Sequence, residues 1–310
     1  MSQAMSEPSQ AAPEWAGLLP LFREIGDLKR LRTPELTPSI SAAAFATFAR
    51  RTFVGDEDWT RLAHIATAQS VAATRLAGIR PADLTGAGLD VPAIAEVFGR
   101  ALATHRSVIA PGLFADLAAA PQETLAADAG PADWIARLNA QPRAGATAPG
   151  QARWVLEPVE SCGEHCHVTA VYSVLLAPYF GADPGEAFAI ALAHHAHNAD
   201  LPDAGFAGEA LLDDHLAGVV DTLRDKVLAT MTPDVAARMR AAFEEIAGAD
   251  TPLAQTFQTA DTLDRVLQME YFARVNEFTL ATALVDMDIV HEGPVQAFQK
   301  AQLQAAGLLS

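Results

Sequence analysis

The sequence predicts an all-α protein, and three features of the chain carry that prediction. Alanine, leucine and glutamate are common while β-branched runs are scarce, which favours helices. Apolar residues recur at helical spacing, as in Leu18, Phe22 and Ile25. The sequence has no alternating strand pattern longer than a few residues, no internal repeat and no glycine-rich phosphate loop. A helical bundle is therefore expected.

The first half of the chain is predicted to be a polar tail followed by a helical domain. Residues 1–14 are rich in Pro, Ser and Gln, and we expect this tail to be disordered. Residues 15–140 form the N-terminal domain, in which Gly, Pro and Asp mark 78–90 as a connection. Its predicted helices cover 15–31, 39–53, a segment capped by Asp56 and Asp58, 91–105 and 131–139.

A linker is predicted to divide the chain at residues 141–152, which are rich in Pro, Gly and Ala and show no apolar period. The second domain then covers 153–310. Its predicted helices are 164–180, 184–197, 233–247, 251–275, 276–290 and 294–306.

Composition limits the classes of partner. The net charge of −17 disfavours binding to a nucleic-acid polymer, because an acidic surface repels phosphates. The N-terminus lacks the basic and apolar regions of a signal peptide, and no apolar run is long enough for a membrane span. We expect a cytoplasmic protein, compatible with a homodimer. The basic run at 28–32 is expected to be a solvated face, with steering of an anion or pairing with acidic faces as the alternatives.

Five of the nine histidines fall between positions 165 and 197, a density typical of a metal site in a helical bundle. His165 begins one predicted helix, while His194 and His195 lie near the end of the next. A short loop makes these two helices antiparallel, which brings His165 close to His194. Asp261 must approach from a third helix. Two imidazoles and one carboxylate, with positions left for water, form a common catalytic metal set.

The order Glu164-His165, His194-His195 and Ala260-Asp261 resembles the HD-domain metal-dependent phosphohydrolases, over about residues 153–274. The resemblance is closest to the HD-type 5′-deoxynucleotidase branch, where an Arg-Trp pair precedes the first histidine. It implies an HD-like bundle that binds a divalent transition metal (Mn, Fe, Co, Ni or Zn) and a small phosphorylated molecule. The implied metal ligands are His165, His194, His195 and Asp261.

The resemblance also implies candidate catalytic residues, and here the sequence departs from the family pattern. Arg153 matches the arginine that contacts the nucleotide, and Asp203 matches an aspartate on the substrate side. His195 stands where the family has its namesake Asp, and Asn198 stands where it has a Glu that orients water. Imidazole suits Mg²⁺ poorly, and an amide cannot act as a general base. The HD motif is thus degenerate.

Less specific interpretations stay open for several of these residues. His195 can orient a ligand rather than bind metal, and His197 can be a helix-end group. Asp203 can belong to a turn, and Arg153 can be an ordinary exposed arginine. Cys162 and Cys166 are expected to be small buried residues rather than thiolate ligands.

Three functions follow in order of preference. The first is an HD-type phosphohydrolase acting on a nucleotide or other small phosphate ester. The second is a catalytically impaired HD-like sensor or scaffold, which the missing Asp and Glu favour. The third is an HD-type di-iron oxygenase, which requires an extra ligand such as His215 near the site.

Overall fold

A computed structural model of the chain describes residues 13–34, 39–55, 58–121, 133–148, 150, 153–275 and 278–309. Fifteen α-helices lie within these residues. The β pairing among the described residues consists of two isolated antiparallel bridges. They join Pro142 to Ser161 and Ala146 to Trp154. The all-α prediction is therefore confirmed.

Seven helices precede residue 141 in the described ranges. They are α1 Leu19–Gly26, α2 Ile40–Phe53, α3 Trp59–Leu76, α4 Pro81–Gly86, α5 Val91–Ala103, α6 Pro111–Ala119 and α7 Asp133–Ala140. The hydroxyl of Ser39 accepts a hydrogen bond from Ala42 N and caps α2, while the Asp58 carboxylate caps α3. Residues 1–12 of the predicted tail (1–14) and the predicted cap Asp56 lie outside the described residues, whereas Glu14 begins a 3₁₀ helix.

Two short helices in this half were not predicted. The connection expected at 78–90 contains α4, because Pro81 suits its first turn and Asp83 accepts from the backbone of Arg80. Helix α6 likewise begins at a proline.

Eight helices follow residue 153. They are α8 Cys162–Phe180, α9 Pro184–Ala193, α10 Gly205–Glu209, α11 Leu216–Leu228, α12 Pro233–Glu245, α13 Pro252–Val275, α14 Leu280–Val285 and α15 Gln296–Ala305. Helix α9 ends before His194, and a 3₁₀ turn at Ala196–Ala199 follows it. Helix α11 was not predicted, and α14 is much shorter than the expected helix at 276–290.

Helix α8 is the centre of the molecule. Sixteen of its nineteen residues are buried, so it has no polar face. It packs against α9 and α13 on the C-terminal side and against α2, α3 and α7 on the N-terminal side. The side chains of α8 therefore meet both halves of the chain.

One apolar cluster contains residues from both sides of the predicted linker, among them Phe22, Phe45, Tyr172 and Leu263. The described part of the linker is tied down by the two β-bridges and by a hydrogen bond from Arg143 N to Glu160 O. The division into domains at 141–152 stays a prediction. No helix of the described ranges is both long and apolar enough to cross a membrane.

Candidate metal centre

Local capping places His165 in the first turn of α8. The Ser161 hydroxyl accepts from Glu164 N at 3.1 Å, and a Glu164 carboxylate oxygen accepts from Ser161 N at 2.8 Å. This capping box satisfies two N-terminal donors of the helix. Glu164 also accepts from the Ser39 hydroxyl, so its role is structural. His165, the next residue, is 1% exposed and faces the core.

His194 follows the last turn of α9, beside the start of α8. The two helices are joined by three residues and run antiparallel, as the sequence predicts. The Nδ1–H of His194 donates to Ala191 O at 2.7 Å, which leaves Nε2 with a free lone pair. Burial, together with the neighbouring His165, lowers the pKa of His194 to about 3. His194 is therefore neutral at neutral pH.

Three acceptor atoms converge at this point. His165 Nε2 lies 3.1 Å from His194 Nε2 and 3.1 Å from Asp261 Oδ1, and His194 Nε2 lies 3.7 Å from the same Asp261 oxygen. Each imidazole has its Nδ1 bound to an acceptor, so both Nε2 atoms present lone pairs. Lone pairs at this separation repel unless a cation lies between them. The donor set fits a divalent transition metal.

The Asp261 carboxylate is ionised and oriented for cation binding. Burial opposes its ionisation, but the Arg265 cation, one turn later on α13, holds the pKa of Asp261 well below its usual value. Arg265 pairs with Oδ2, which leaves Oδ1 to face the imidazoles. The predicted set His165, His194 and Asp261 is thus brought together.

A buried ion cluster behind His165 was missed by the sequence reasoning. His165 Nδ1–H donates to Asp264 Oδ2 at 2.6 Å, and Lys29 Nζ lies 2.7 Å from both Asp264 oxygens and 2.5 Å from Glu160 Oε1. Lys29 is 3% exposed, so the expectation of a solvated basic run is wrong for this residue. The two carboxylates raise the pKa of Lys29 despite burial, which lowers it. Asp264 lies one helical turn after Asp261 on α13. This spacing is the one local feature of the sequence that pointed to a role for Asp264 near the centre.

His195 lies beside the three atoms, but its ring nitrogens have other partners. Arg143 Nη1 donates to His195 Nε2 at 2.7 Å, and His195 Nδ1–H donates to Asn198 Oδ1 at 2.8 Å. A guanidinium is only a donor, so it occupies the lone pair that a metal would need. The geometry favours an orienting role for His195, and its place among the metal ligands stays a prediction.

Asn198 is fully engaged as well, since its amide nitrogen donates to Leu201 O at 3.1 Å. It holds His195 rather than a water molecule.

The other two candidate catalytic residues differ in position. Asp203 lines the cavity beside the metal centre, accepts from Ala144 N at 3.1 Å, and lies 3.7 Å from Arg143. Arg153 is exposed and donates to the carbonyls of Ala144 and Ala204 at 2.8 and 3.0 Å. Arg153 thus ties the loop to its neighbours, and a direct phosphate contact from it stays a prediction.

The remaining candidates are the two cysteines and His215, and Cys166 Sγ lies 3.8 Å from His194 Nδ1. Cys162 and Cys166 are buried free thiols; burial raises the pKa of Cys162 to about 12 and that of Cys166 well above its usual value, so both stay protonated. His215 is exposed and belongs to neither of the two groups of close potential metal ligands in the described ranges, the first of which is His165, His194 and His195. The second such group, Glu160, His165 and Asp264, has the Lys29 ammonium bound to both of its carboxylates.

A cavity of about 560 Å³ opens beside the centre and is lined by His194, His195 and Asp261. This volume is in the range of small-molecule sites. Three arginines, at 143, 224 and 265, also line it, alongside apolar residues such as Phe243 and Phe257. The carboxylates of Asp203, Glu209, Asp261 and Glu292 line it as well, so the cavity offers cationic, anionic and apolar surface to a ligand.

One of three comparisons with known proteins gives a match. The family profile described as an HD domain matches residues 135–292, just over half of the chain. The match covers His165, His194 and Asp261 and leaves Lys29 outside. Neither the curated proteins nor the solved structures give a match.

Proposed function

The chain belongs to the HD-domain family, and from this premise we propose that it is a metal-dependent phosphohydrolase that acts on a nucleotide or another small phosphate ester. The observation that carries the proposal is the convergence of His165 Nε2, His194 Nε2 and Asp261 Oδ1 at the wall of a ligand-sized cavity. The 5′-deoxynucleotidase branch, as the finer assignment, rests on the sequence resemblance alone.

In this proposal different residues bind the metal, orient its ligands and attract the substrate. His165, His194 and Asp261 hold the metal, which when bound lowers the pKa of a bound water and polarises a phosphoryl oxygen. Asp264 orients His165, and Arg265 orients Asp261. Arg143, held by Asp203, directs positive charge toward the cavity and favours an anionic ester there.

The first test removes one ligand. Protein purified without a histidine tag is analysed for metal by mass spectrometry, together with Asp261→Ala and the isosteric Asp261→Asn. We expect near-stoichiometric transition metal in the wild type and background levels in both variants, with phosphatase activity on nucleotides and simple phosphate esters lost alongside.

The exposed Asp116 on α6 provides the matched control, because Asp116→Ala changes the same charge far from the centre. Equal metal content in Asp261→Ala and Asp116→Ala would contradict the proposed ligand set.

A second function, a sensor or scaffold that binds metal or nucleotide without hydrolysis, is favoured by one observation. Arg143 occupies His195 Nε2, and Asn198 replaces the family's glutamate with an amide that cannot accept a proton. Stoichiometric metal and nucleotide binding, combined with no phosphatase activity on any ester screened, would support this function over the first.

A further inference from the structure

One arginine of the cavity has no counter-ion. Arg143 is paired with Asp203 and Arg265 with Asp261, whereas Arg224 forms no ion pair with the described residues. Its guanidinium lies over the ring of Phe243, with Cζ 4.6 Å from the centroid, and its buried Nε has no hydrogen-bond partner in the described ranges. An aromatic face and an unused donor are a common setting for a bound anion.

His197 lines the same cavity as Arg224, and it also has a buried nitrogen without a hydrogen-bond partner in the described part of the chain. It stands in the 3₁₀ turn against which α11, the helix of Arg224, packs, and it lines the same cavity. His197 is 8% exposed, and its Nδ1 has no partner among the residues described. Its ring centroid is 5.8 Å from that of His195, which lies beside the metal centre.

Burial of these groups without partners is unfavourable. A buried polar atom that lacks a hydrogen bond loses free energy relative to water, and a buried cation without an anion loses more. Accordingly, burial lowers the pKa of Arg224, and Asp221 on the same helix only partly opposes it. An anionic group of a ligand would supply both the missing hydrogen-bond acceptor and the missing negative charge.

We propose that Arg224 and His197 form a second anion-binding subsite, so that the substrate is a small molecule with two separated anionic groups. One group, a phosphate ester, lies at the metal centre, and the other, a phosphate or carboxylate, binds the guanidinium fork of Arg224. The proposal rests on the proposed function for the first group only. The cavity of about 560 Å³ has room for a molecule of this kind.

The test uses alkane bisphosphonates of increasing chain length and alkyl monophosphonates of matching length. The carbon–phosphorus bond resists hydrolysis, so binding is measured apart from turnover, by calorimetry on metal-loaded protein. At one chain length we expect the bisphosphonate to bind roughly 10- to 100-fold tighter than its monophosphonate partner. An increase of this size is what the charged hydrogen bonds of a second phosphonate provide. Arg224→Gln should remove this gain. Arg224→Lys, which keeps the charge, should retain part of it.

Arg240→Gln is the matched control, because Arg240 is an exposed arginine of α12 that pairs with Asp225. It should keep the full gain. No gain at any chain length in the wild type, or a gain that survives Arg224→Gln, would overturn the subsite. The wild-type series decides this even where a variant fails to fold.

The two proposals fail differently. A bisphosphonate gain that depends on Arg224 in a protein without phosphatase activity supports the subsite and overturns the proposed hydrolysis. Phosphatase activity without any bisphosphonate gain supports hydrolysis and overturns the subsite.

Discussion

His165 is positioned through both ring nitrogens, and the group behind it is charged. Its Nδ1–H donates to Asp264, whose other interactions are with the Lys29 ammonium. A carboxylate behind a metal-binding histidine fixes the tautomer and raises the basicity of the opposite nitrogen. Burial opposes ionisation of Asp264, but Lys29 and His165 lower its pKa, so this carboxylate is charged at neutral pH.

Asp264→Asn tests this role at the residue scale. The amide keeps the volume but cannot hold His165 as strongly, and we expect metal affinity to fall roughly 10- to 100-fold, measured by competition with a chelator. Glu160→Gln is the control, because it removes a carboxylate that binds Lys29 while the contact of Asp264 with His165 is kept. Equal losses in both variants would show that charge alone, not orientation, matters.

Lys29→Met tests the buried ion cluster. The change leaves the two carboxylates of the cluster without their cation, and we expect the free energy of unfolding to fall by roughly 3–5 kcal/mol in urea titrations. Lys226→Met is the matched control, because the exposed Lys226 pairs with Asp200 on the surface and should contribute less than about 1 kcal/mol. A similar loss in the two variants would contradict the buried pairing.

At the scale of elements, His167 joins three helices. It lies on α8, and its Nδ1 and Nε2 are 2.8 and 3.2 Å from the hydroxyls of Ser41 on α2 and Ser70 on α3. The Ser70 hydroxyl donates to Ala66 O, so its oxygen accepts from the Nε2–H of the imidazole. The Ser41 hydroxyl lies within hydrogen-bond distance of both His167 Nδ1 and Glu164 O, the latter at 3.3 Å. Burial, aided by Lys29, lowers the pKa of His167 to about 3.

The buried His167 on α8 predicts that the free energy of unfolding decreases in acid. The unfolded chain binds a proton at His167 near pH 6.5 and the folded chain only near pH 3, so stability is complete above 6.5 and falls as the pH decreases between these values. At pH 5 His167 alone should cost about 2 kcal/mol relative to pH 7. Urea unfolding at both pH values should show a smaller pH dependence in His167→Asn. The exposed His215→Asn should leave the dependence unchanged, and equal slopes in all three proteins would refute the prediction.

At the scale of the whole molecule, the N-terminal helices and the HD-domain region share one apolar cluster. Helix α8 packs on both, and Tyr172 donates to Phe22 O across the boundary. The buried Lys29 comes from outside the matched HD region yet binds a carboxylate behind the metal centre. Separation of the two parts would expose α8 and leave Asp264 without its cation.

We therefore expect that residues 141–310 expressed alone do not fold, and that the full chain unfolds in a single calorimetric transition. Circular dichroism and calorimetry of the fragment beside the full chain make the comparison. A folded fragment, or two separate transitions in the full chain, would instead support independent domains divided at 141–152.

The sequence by itself determined most of the long helices and the closeness of His165 to His194. Helical spacing and caps are local signals, so α2, α3, α8, α9 and α13 were predictable within a few residues. The short loop between α8 and α9 makes them antiparallel, which is sufficient to place His165 beside His194. The short helices α4 and α6 and helix α11 were missed because their apolar patterns are brief or weak.

Only the tertiary structure decided which charges are buried and with whom they pair. Lys29 and Asp264 are 235 residues apart, and Arg143 meets His195 across 52 residues, so no local pattern connects them. Pairing of this kind depends on the exclusion of water by distant segments, which strengthens electrostatic interactions and makes an unpaired group unfavourable. The same physics turned Lys29 from an expected surface residue into a support of the metal centre and left Arg224 without an ion pair among the described residues.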